Sequence, residues 1–270
     1  MSHARYTISH ALEKVRPPPG WRLTAYESLD STNLALRRMV ETGAATDEGL
    51  VVTAKSQTAG RGRAGRQWQS PPGNLYASIL LGAPDVPATA PQLSFVVALA
   101  VIDAIQACAP DIASDDSLKC KWPNDVVFRG AKVAGILLET VSGADAEQRF
   151  VVVGVGVNVV PTPVPEALYP VTSLSEQGIR VTAPKLLEAL LAHLAARVAR
   201  WRRDGFTTIR EAWLTHAAGL GEEITVVLPS ETVQGRLLDL DVDGALVVEV
   251  AGQRRRILAG DVSFTGVTEG

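Results

Sequence analysis

The hydrophobic and polar positions of this chain follow two periods, one typical of strands and one typical of helices. Short apolar segments between turn-forming residues predict strands over Leu23–Leu29, Gly49–Lys55, Leu75–Leu81, Leu118–Trp122, Val126–Phe128, Lys132–Val141 and Arg149–Val157. Longer patterns predict helices over Ser9–Val15, Pro91–Ala109, Ala183–Arg203 and Gly205–Ala217. A further helix is predicted to begin after the N-cap residues Asp30-Ser31-Thr32-Asn33 and to end at Val40. The short connections between the strands favour an antiparallel or mixed sheet.

The pattern changes at Gly219-Leu220-Gly221, after which only short β segments follow. They are Ile224–Leu228, Thr232–Leu240, Ala245–Val250, Arg254–Leu258 and Val262–Thr265, separated by turns such as Asp243-Gly244. We therefore predict an α+β fold in two parts. An N-terminal extension (1–20) without an assigned role precedes a catalytic domain (21–220), and a small all-β module (221–270) follows it.

Composition narrows the possible functions. The chain has 270 residues and a formal net charge of −3, which gives no general attraction to nucleic acid. Its two cysteines and four histidines show no metal-binding spacing, so neither a disulfide framework nor a zinc enzyme is expected. No signal peptide is recognised, and the longest apolar stretch, Phe95–Ala109, is too short to cross a bilayer. We expect a soluble, cytoplasmic protein without a membrane partner.

The most informative segment is Gly60–Trp68, in which glycines and arginines alternate before a tryptophan. Glycine permits close backbone approach to a ligand, and arginine presents donors that match phosphate or carboxylate oxygens. The segment also satisfies the G-x-G-x-x-G dinucleotide pattern, but Gln69–Asn74 then forms a turn where that pattern requires a helix. The sequence thus predicts a loop around an anionic small molecule; a solvated basic loop is the alternative.

Four further segments each have an ordinary structural explanation taken alone. Asp30–Asn33 could simply cap a helix, and the paired glycines of Gly154–Asn158 could mark a bulge. Lys121–Asp125 places charges around a proline turn, and Lys132–Leu137 places a lysine three residues before a glycine. Their combination in this order and spacing is what points to a ligand site.

Together with Gln57 and Thr172-Ser173-Leu174, these segments make the chain, from Trp21 onward, resemble the biotin protein ligases. The resemblance implies a class II synthetase-like catalytic domain and a C-terminal SH3-like β-barrel. It also implies two half-reactions. Biotin and Mg–ATP give biotinyl-5′-AMP and pyrophosphate, and the biotinyl group then acylates a lysine of a biotin carboxyl carrier domain of an acyl-CoA carboxylase. ATP and biotin are substrates, and Mg²⁺ is the implied cofactor.

The resemblance assigns site residues in three groups. Those implied to act in catalysis are Lys132, Arg61, Arg63, Arg66 and Asp125, with Asp125 also the implied Mg²⁺ ligand. Those implied to bind biotin are Ser31, Thr32, Asn33, Gln57, Gly60, Arg61, Arg63, Lys132, Gly135, Leu137, Gly154 and Gly156. Those implied to bind ATP or the adenylate are Arg63, Arg66, Trp68, Asn124, Lys132 and Asn158.

Further expectations concern the loop, the partners and the alternatives. The Gly60–Trp68 loop is expected to be mobile and to close over the adenylate, so that Gly62→Val impairs closure. Many relatives are also repressors with an N-terminal DNA-binding domain, for which this chain has no room, so no DNA binding is expected. We expect a monomer or weak homodimer. A lipoate or octanoate ligase and a non-catalytic biotin-binding regulator stay open as alternatives.

Overall fold

The computed structural model describes residues 7, 9, 12, 14–82, 90–112, 116–143, 148–164 and 169–264. A large sheet contains β1 (Arg22–Leu29), β2 (Leu50–Gln57), β3 (Leu75–Gly82), β4 (Leu118–Lys121), β5 (Asp125–Phe128), β6 (Ala131–Ser142) and β7 (Arg149–Val157). A small sheet contains β8 (Glu223–Val227), β9 (Thr232–Leu240), β10 (Leu246–Val250), β11 (Gln253–Ile257) and β12 (Asp261–Phe264). The helices are α1 (Thr32–Glu41), α2 (Ala90–Cys108), α3 (Ala183–Asp204) and α4 (Phe206–Thr215).

The large sheet is mixed. Its strand order is β1-β2-β3-β7-β6-β5-β4, with β1 and β2 parallel and every other neighbouring pair antiparallel. A parallel pair needs a crossover, and α1 supplies it between β1 and β2. The predicted α+β fold with a mixed sheet is confirmed, and the predicted elements that the structure describes end within two residues of the observed ones.

Helices cover the two faces of the large sheet unequally. One face packs against α2, α3 and α4 in the main hydrophobic core, whereas α1 covers the other face through Leu36 and Val40. Helix α2 is apolar on nearly all sides, and it is the one described helix whose length and hydropathy would suit a membrane span. It is a core helix here, since residues all around it, from Leu93 to Ile105, are buried.

The small sheet is antiparallel, with strand order β11-β10-β9-β8-β12, and it shares the main core with the large one. The two sheets meet at β4 and the turn after it. The indole Nε1 of Trp122 donates to the carbonyl of Gly244 at 3.1 Å, in the turn between β9 and β10. The ring of Phe95 packs so closely on Gly244 that an added Cβ would lie 2.6 Å from it. The β4 and β5 region of the large sheet is therefore fixed to the small one.

Part of the N-terminal extension lies along the outer edge of β1. The amide of Ser9 donates to the carbonyl of Ala25 at 3.0 Å, and the amide of Glu27 donates to the carbonyl of Thr7 at 2.9 Å. These two bonds continue the ladder beyond β1. Of the helix predicted over Ser9–Val15, four residues are described (9, 12, 14 and 15), and none of them is helical. Two successive turns stand there, closed by the amide of Leu12 on the carbonyl of Ser9 and by the amide of Val15 on the carbonyl of Leu12, both at 3.2 Å; residues 10, 11 and 13 lie outside the described part of the chain.

Candidate active site

A cavity of about 550 Å³ lies where the β6–β7 pair, the β1–α1 junction and the loop between β2 and β3 converge. Every site residue predicted from the sequence lines it, except Gly60. The predicted residues on its wall are Ser31, Thr32, Asn33, Gln57, Arg61, Arg63, Arg66, Trp68, Asn124, Asp125, Lys132, Gly135, Leu137, Gly154, Gly156 and Asn158. Segments far apart in the chain thus meet at one site.

The floor of the cavity is bare backbone covered by an indole ring. Gly135 and Gly156 are paired across β6 and β7, and Trp68 from the loop lies against both. A Cβ at Gly135 would stand 2.8 Å from the Trp68 ring, and one at Gly156 would stand 2.7 Å from it. The indole Nε1 is buried on the Gly156 side and has no hydrogen-bond partner within the described residues.

One end of the cavity is polar and tightly ordered. The amide oxygen of Gln57 accepts from the backbone N–H of Thr32 at 2.8 Å. The Ser78 hydroxyl lies 2.7 Å from Thr32 Oγ1 and 2.5 Å from Asn33 Oδ1. Gly154 leaves room for Asn33, because a Cβ there would stand 2.3 Å from Asn33 Oδ1. The hydroxyls and amides therefore hold one another and form a rigid set of donors and acceptors for a small polar group.

The start of α1 does not behave as an ordinary capped terminus. Ser31 is the N-cap residue, but its side chain makes no capping hydrogen bond, and it lines the cavity instead. The carboxylate of Asp30 accepts from the amide of Ser31 at 2.7 Å and is bound by Arg38, and the pKa of Asp30 is lowered, although burial opposes the shift. Helix capping alone therefore does not account for this segment.

A charged centre lies beside the indole ring. The ammonium of Lys132 is 2.7 Å from Asp125 Oδ1 and 5.2 Å from the centre of a Trp68 ring. Asn124, next to Asp125, donates from Nδ2 to the carbonyl of Ile136 at 2.7 Å and accepts from Arg63 at 2.9 Å. Asn158 uses its amide to bind the carbonyl of Thr172 at 3.1 Å. The cation thus lies against a carboxylate between hydrogen-bonded amides. Oδ1 of that carboxylate is buried and, within the described residues, makes the ion pair with Lys132 but no hydrogen bond.

Each arginine of the loop contacts a different part of the fold. Arg61 lies 3.3 Å from Glu139 on β6, and Arg63 donates to Asn124 in the turn before β5. Arg66 donates to both carboxylate oxygens of Asp261 on β12, at 3.0 and 2.8 Å. The small sheet therefore contributes a side chain to the wall of the cavity.

A buried lysine borders the same centre. Lys121 is 6 % exposed, and its ammonium lies 3.3 Å from the centre of the Tyr169 ring. Burial lowers the pKa of Lys121 from its ordinary 10.5 to about 8, although nearby Asp125 opposes the shift. The aromatic ring acts in the opposite direction, because it stabilises a cation over its face. Burial also raises the pKa of the Tyr169 phenol.

The structure distinguishes two of the loop glycines. A Cβ at Gly62 would make only ordinary contacts, the nearest at 3.5 Å, and its φ of −112° suits any residue. Neither the backbone conformation nor the space for a Cβ therefore requires glycine at position 62, and the effect of Gly62→Val on loop closure stays a prediction. The restricted position is Gly60, where a Cβ would stand 2.3 Å from the carbonyl oxygen of Trp68. Gly60 closes the base of the loop and does not line the cavity.

Several residues on or beside the cavity were missed by the sequence reasoning, and four of them have polar or charged contacts within the site: Ser78, Glu139, Tyr169 and Asp261. Ser78 did carry a signal, because it is a polar residue in the otherwise apolar Leu75–Leu81 strand. Glu139 and Asp261 carried none, since each is a single acidic residue on a strand with an exposed side. Their importance follows only from the arginines that they meet.

The site offers few side chains that could bind a metal ion. Among the described residues, no group of three or more His, Cys, Asp or Glu side chains could hold one. Asp125 is a single carboxylate facing the charged centre. That is enough for Mg²⁺ bound mainly by nucleotide phosphates, which usually takes only one or two protein carboxylates. It does not suit a site made by protein ligands alone.

Comparison with known proteins places these features in a family. A model described as the biotin/lipoate A/B protein ligase family matches residues 26–158, and one described as the biotin protein ligase C-terminal domain matches residues 219–265. Among curated relatives, a biotin–[acetyl-CoA-carboxylase] ligase of Paracoccus denitrificans is 40% identical over 225 residues, covering 80% of this chain and 90% of that protein. One of Mycobacterium tuberculosis is 38% identical over 252 residues, covering 90% and 89%.

The fold agrees with these matches. The solved structure of a biotin protein ligase from Aquifex aeolicus in complex with biotin and ATP superimposes with a TM-score of 0.76 at 28% identity. The superposition covers 90% of this chain and 97% of that one. The structural similarity therefore includes both sheets of this fold.

Proposed function

Because the chain belongs to the biotin protein ligases, we propose that its cavity binds biotin and ATP side by side, with their reacting groups meeting at Lys132. The protein is an ATP-dependent ligase that activates biotin and transfers it to a carboxyl carrier. The observation that carries the proposal is the layout of the cavity. A rigid polar end and a cationic centre are joined by a floor of backbone under an indole ring.

We assign the polar end to the ureido head of biotin. That head offers a carbonyl acceptor and two N–H donors, and the end of the cavity holds Thr32 and Gln57 as matching groups, with Ser78 buried behind Thr32. Gly135 and Gly156 let the Trp68 indole lie directly on the strand backbone, and we propose that the bicyclic ring of biotin packs against that indole. A rigid, prearranged set of partners limits the entropy lost on binding, which favours high affinity.

The first half-reaction needs positive charge more than it needs a base. Biotin's carboxylate is already ionised near pH 7, so it attacks the α-phosphate without losing a proton. Two anions must approach each other, and negative charge accumulates on the phosphate in the transition state. Lys132 is placed to leave Asp125 for these oxygens, and Arg63 lies beside Asn124 with a charge that no carboxylate within the described residues neutralises. Trp68 covers the junction.

We propose that Mg²⁺ arrives with the nucleotide and that Asp125 is its protein ligand. The metal would neutralise charge on the phosphates when bound. The remaining functions belong to the protein: Asn124 fixes Arg63, and Trp68 shields the reacting atoms from water. The base for the carrier lysine stays unassigned.

The partner in the second half-reaction is a carboxyl carrier. We propose that this carrier is the biotin carboxyl carrier domain of an acyl-CoA carboxylase, presented at the open side of the cavity. A cytoplasmic location, a monomer or weak homodimer and the absence of DNA binding remain predictions. A gel-shift assay with labelled operator DNA tests the last of these, and tight, salt-tolerant binding would contradict it.

Pyrophosphate release with Mg–ATP, combined with mass spectrometry of the bound product, tests the proposed function. Biotin should give a stoichiometric burst and a bound biotinyl-5′-AMP. Lipoate and octanoate serve as the control substrates. A burst of pyrophosphate with either of them, but not with biotin, would indicate a lipoate or octanoate ligase instead. Tight biotin binding without pyrophosphate release would indicate a non-catalytic regulator.

A further inference from the structure

The contacts of the loop arginines differ in charge as well as in place. Arg61 and Arg66 each meet a carboxylate, on Glu139 and Asp261 respectively, whereas Arg63 meets the neutral amide of Asn124. Pairing with a carboxylate cancels most of the field that an arginine offers to an anionic substrate. Arg61 and Arg66 are therefore suited to anchoring, and Arg63 is suited to binding the substrate anions.

The two anchored arginines lie toward the two ends of the loop. An isolated bridge pairs Arg61 with Gln67, and the amide of Gly62 donates to the carbonyl of Arg66 at 2.7 Å. The loop is thus a small closed hairpin whose two sides are tied to each other. A carboxylate that fixes Arg66 consequently also fixes Trp68, two residues further on, over Gly135 and Gly156.

The two carboxylates belong to different sheets. Glu139 is on β6 of the large sheet, where its other oxygen accepts from Asn33 Nδ2 at 2.8 Å. Asp261 is on β12 of the small sheet, 195 residues after Arg66 in the chain. Arg66 uses Nη2 for Asp261 and Nε for the carbonyl of Arg63 at 3.2 Å. Its Nη1 has no partner in the described part of the chain, so the anchored guanidinium keeps one edge for a ligand.

We propose that Glu139 and Asp261 are positioning residues that clasp the Gly60–Trp68 loop over the cavity, so that the small sheet takes part in closing the active site. The proposal rests on the proposed function for the identity of the retained intermediate, biotinyl-5′-AMP. The Arg66–Asp261 pair is about one third exposed and therefore weak, so its loss should raise the equilibrium constant for loop opening about two- to fivefold. The Glu139 carboxylate is 14 % exposed, and its loss should have a comparable or larger effect. Loss of both should have a larger effect, because either pair alone still holds the hairpin.

The test uses Asp261→Asn and Glu139→Gln in the full chain and two independent measurements. Trypsin cleaves after arginine, so fragments ending at Arg61, Arg63 or Arg66 report opening of the loop in the protein without substrates. Release of pre-formed biotinyl-5′-AMP reports opening over the intermediate. Asp261→Asn should speed both processes about two- to fivefold, and Glu139→Gln at least as much, without a comparable fall in Tm.

The matched control is Glu231→Gln. Glu231 pairs with Arg255 on the small sheet with similar exposure, away from the cavity, and its loss should leave both measurements unchanged. In a double-mutant cycle, Arg66→Gln and Asp261→Asn should not add, because each removes the same pair. The conservative Asp261→Glu should restore most of the trypsin resistance.

Unchanged cleavage and unchanged adenylate release in both carboxamide variants would overturn the proposal. So would equal effects in Glu231→Gln, which would indicate a general effect of charge. The trypsin assay separates this proposal from the proposed function. If no biotinyl-5′-AMP forms, the function fails, but cleavage without substrates still shows whether the two carboxylates hold the loop.

Discussion

The ammonium of Lys132 and the carboxylate of Asp125 lie 2.7 Å apart on neighbouring strands, at the point where the β5–β6 register shifts. The two side chains are mostly buried, with 24 % and 12 % of their areas exposed. Asp125 therefore holds the cation beside the indole ring in the absence of substrate, so little reorganisation is needed when an anion replaces the carboxylate.

Lys132→Ala should lower the rate of biotin adenylation at least about 100-fold, or about 3 kcal/mol, by analogy with the loss of one donor to a developing anion. The measurement is single-turnover formation of biotinyl-5′-AMP. The variant also leaves the Asp125 carboxylate unpaired, which costs about 1–3 kcal/mol of stability. Lys132→Ala/Asp125→Asn separates the two effects, because it should recover stability and not activity. Near-normal adenylation in Lys132→Ala would contradict the assigned role.

Gly156→Ala should lower kcat/KM for biotin adenylation about 10- to 100-fold, because its methyl group would displace the Trp68 ring that covers the site. Gly135→Ala should act similarly. The matched control is Gly62→Ala, where the added methyl makes only ordinary contacts. Steady-state kinetics and thermal unfolding of the three variants check this. If Gly62→Ala were as damaging as Gly156→Ala, the steric explanation would be wrong.

Lys121 should make the stability of the protein depend on pH in the alkaline range. Its pKa is about 8 in the folded protein and 10.5 ordinarily, so the unfolded chain holds more protons between these values. The free energy of unfolding should then rise with pH across this window, by at most about 3 kcal/mol. Urea unfolding of the wild type and Lys121→Met at pH 7.5 and 10 measures the difference. If the free energy of unfolding depended on pH identically in both proteins, the pKa of Lys121 would not be shifted.

Trp122→Phe should loosen the attachment of the small sheet. The substitution removes the donor to the Gly244 carbonyl, and an unsatisfied buried acceptor costs about 1–3 kcal/mol. The control is Trp201→Phe, whose Nε1 binds Gln92 at 3.0 Å within the helical layer. Hydrogen exchange should quicken in β9 and β10 for Trp122→Phe alone. Equal protection in both variants would argue against the role of this bond.

The sequence was most informative where a local period or a dense motif existed. The hydrophobic pattern and the turn residues placed the element ends, and the Gly60–Trp68 and Lys121–Asp125 motifs located the loop and the charged side of the cavity. It was least informative for contacts between distant segments. Nothing in the local sequence distinguishes Asp261 from any other acidic residue on a short strand, because its role depends on Arg66. The space around Gly62 was equally hidden, since it depends on the path of the loop.

The separation between Arg66 and Asp261 also affects the order of biosynthesis. The ribosome must add 195 residues after Arg66 before Asp261 exists, which takes about 10–40 s at about 5–20 residues per second. A nascent chain that has already formed the large sheet would therefore still lack one of the two carboxylates that meet the loop. Tight retention of a reactive intermediate would then begin only late in synthesis, once the small sheet has left the exit tunnel and folded.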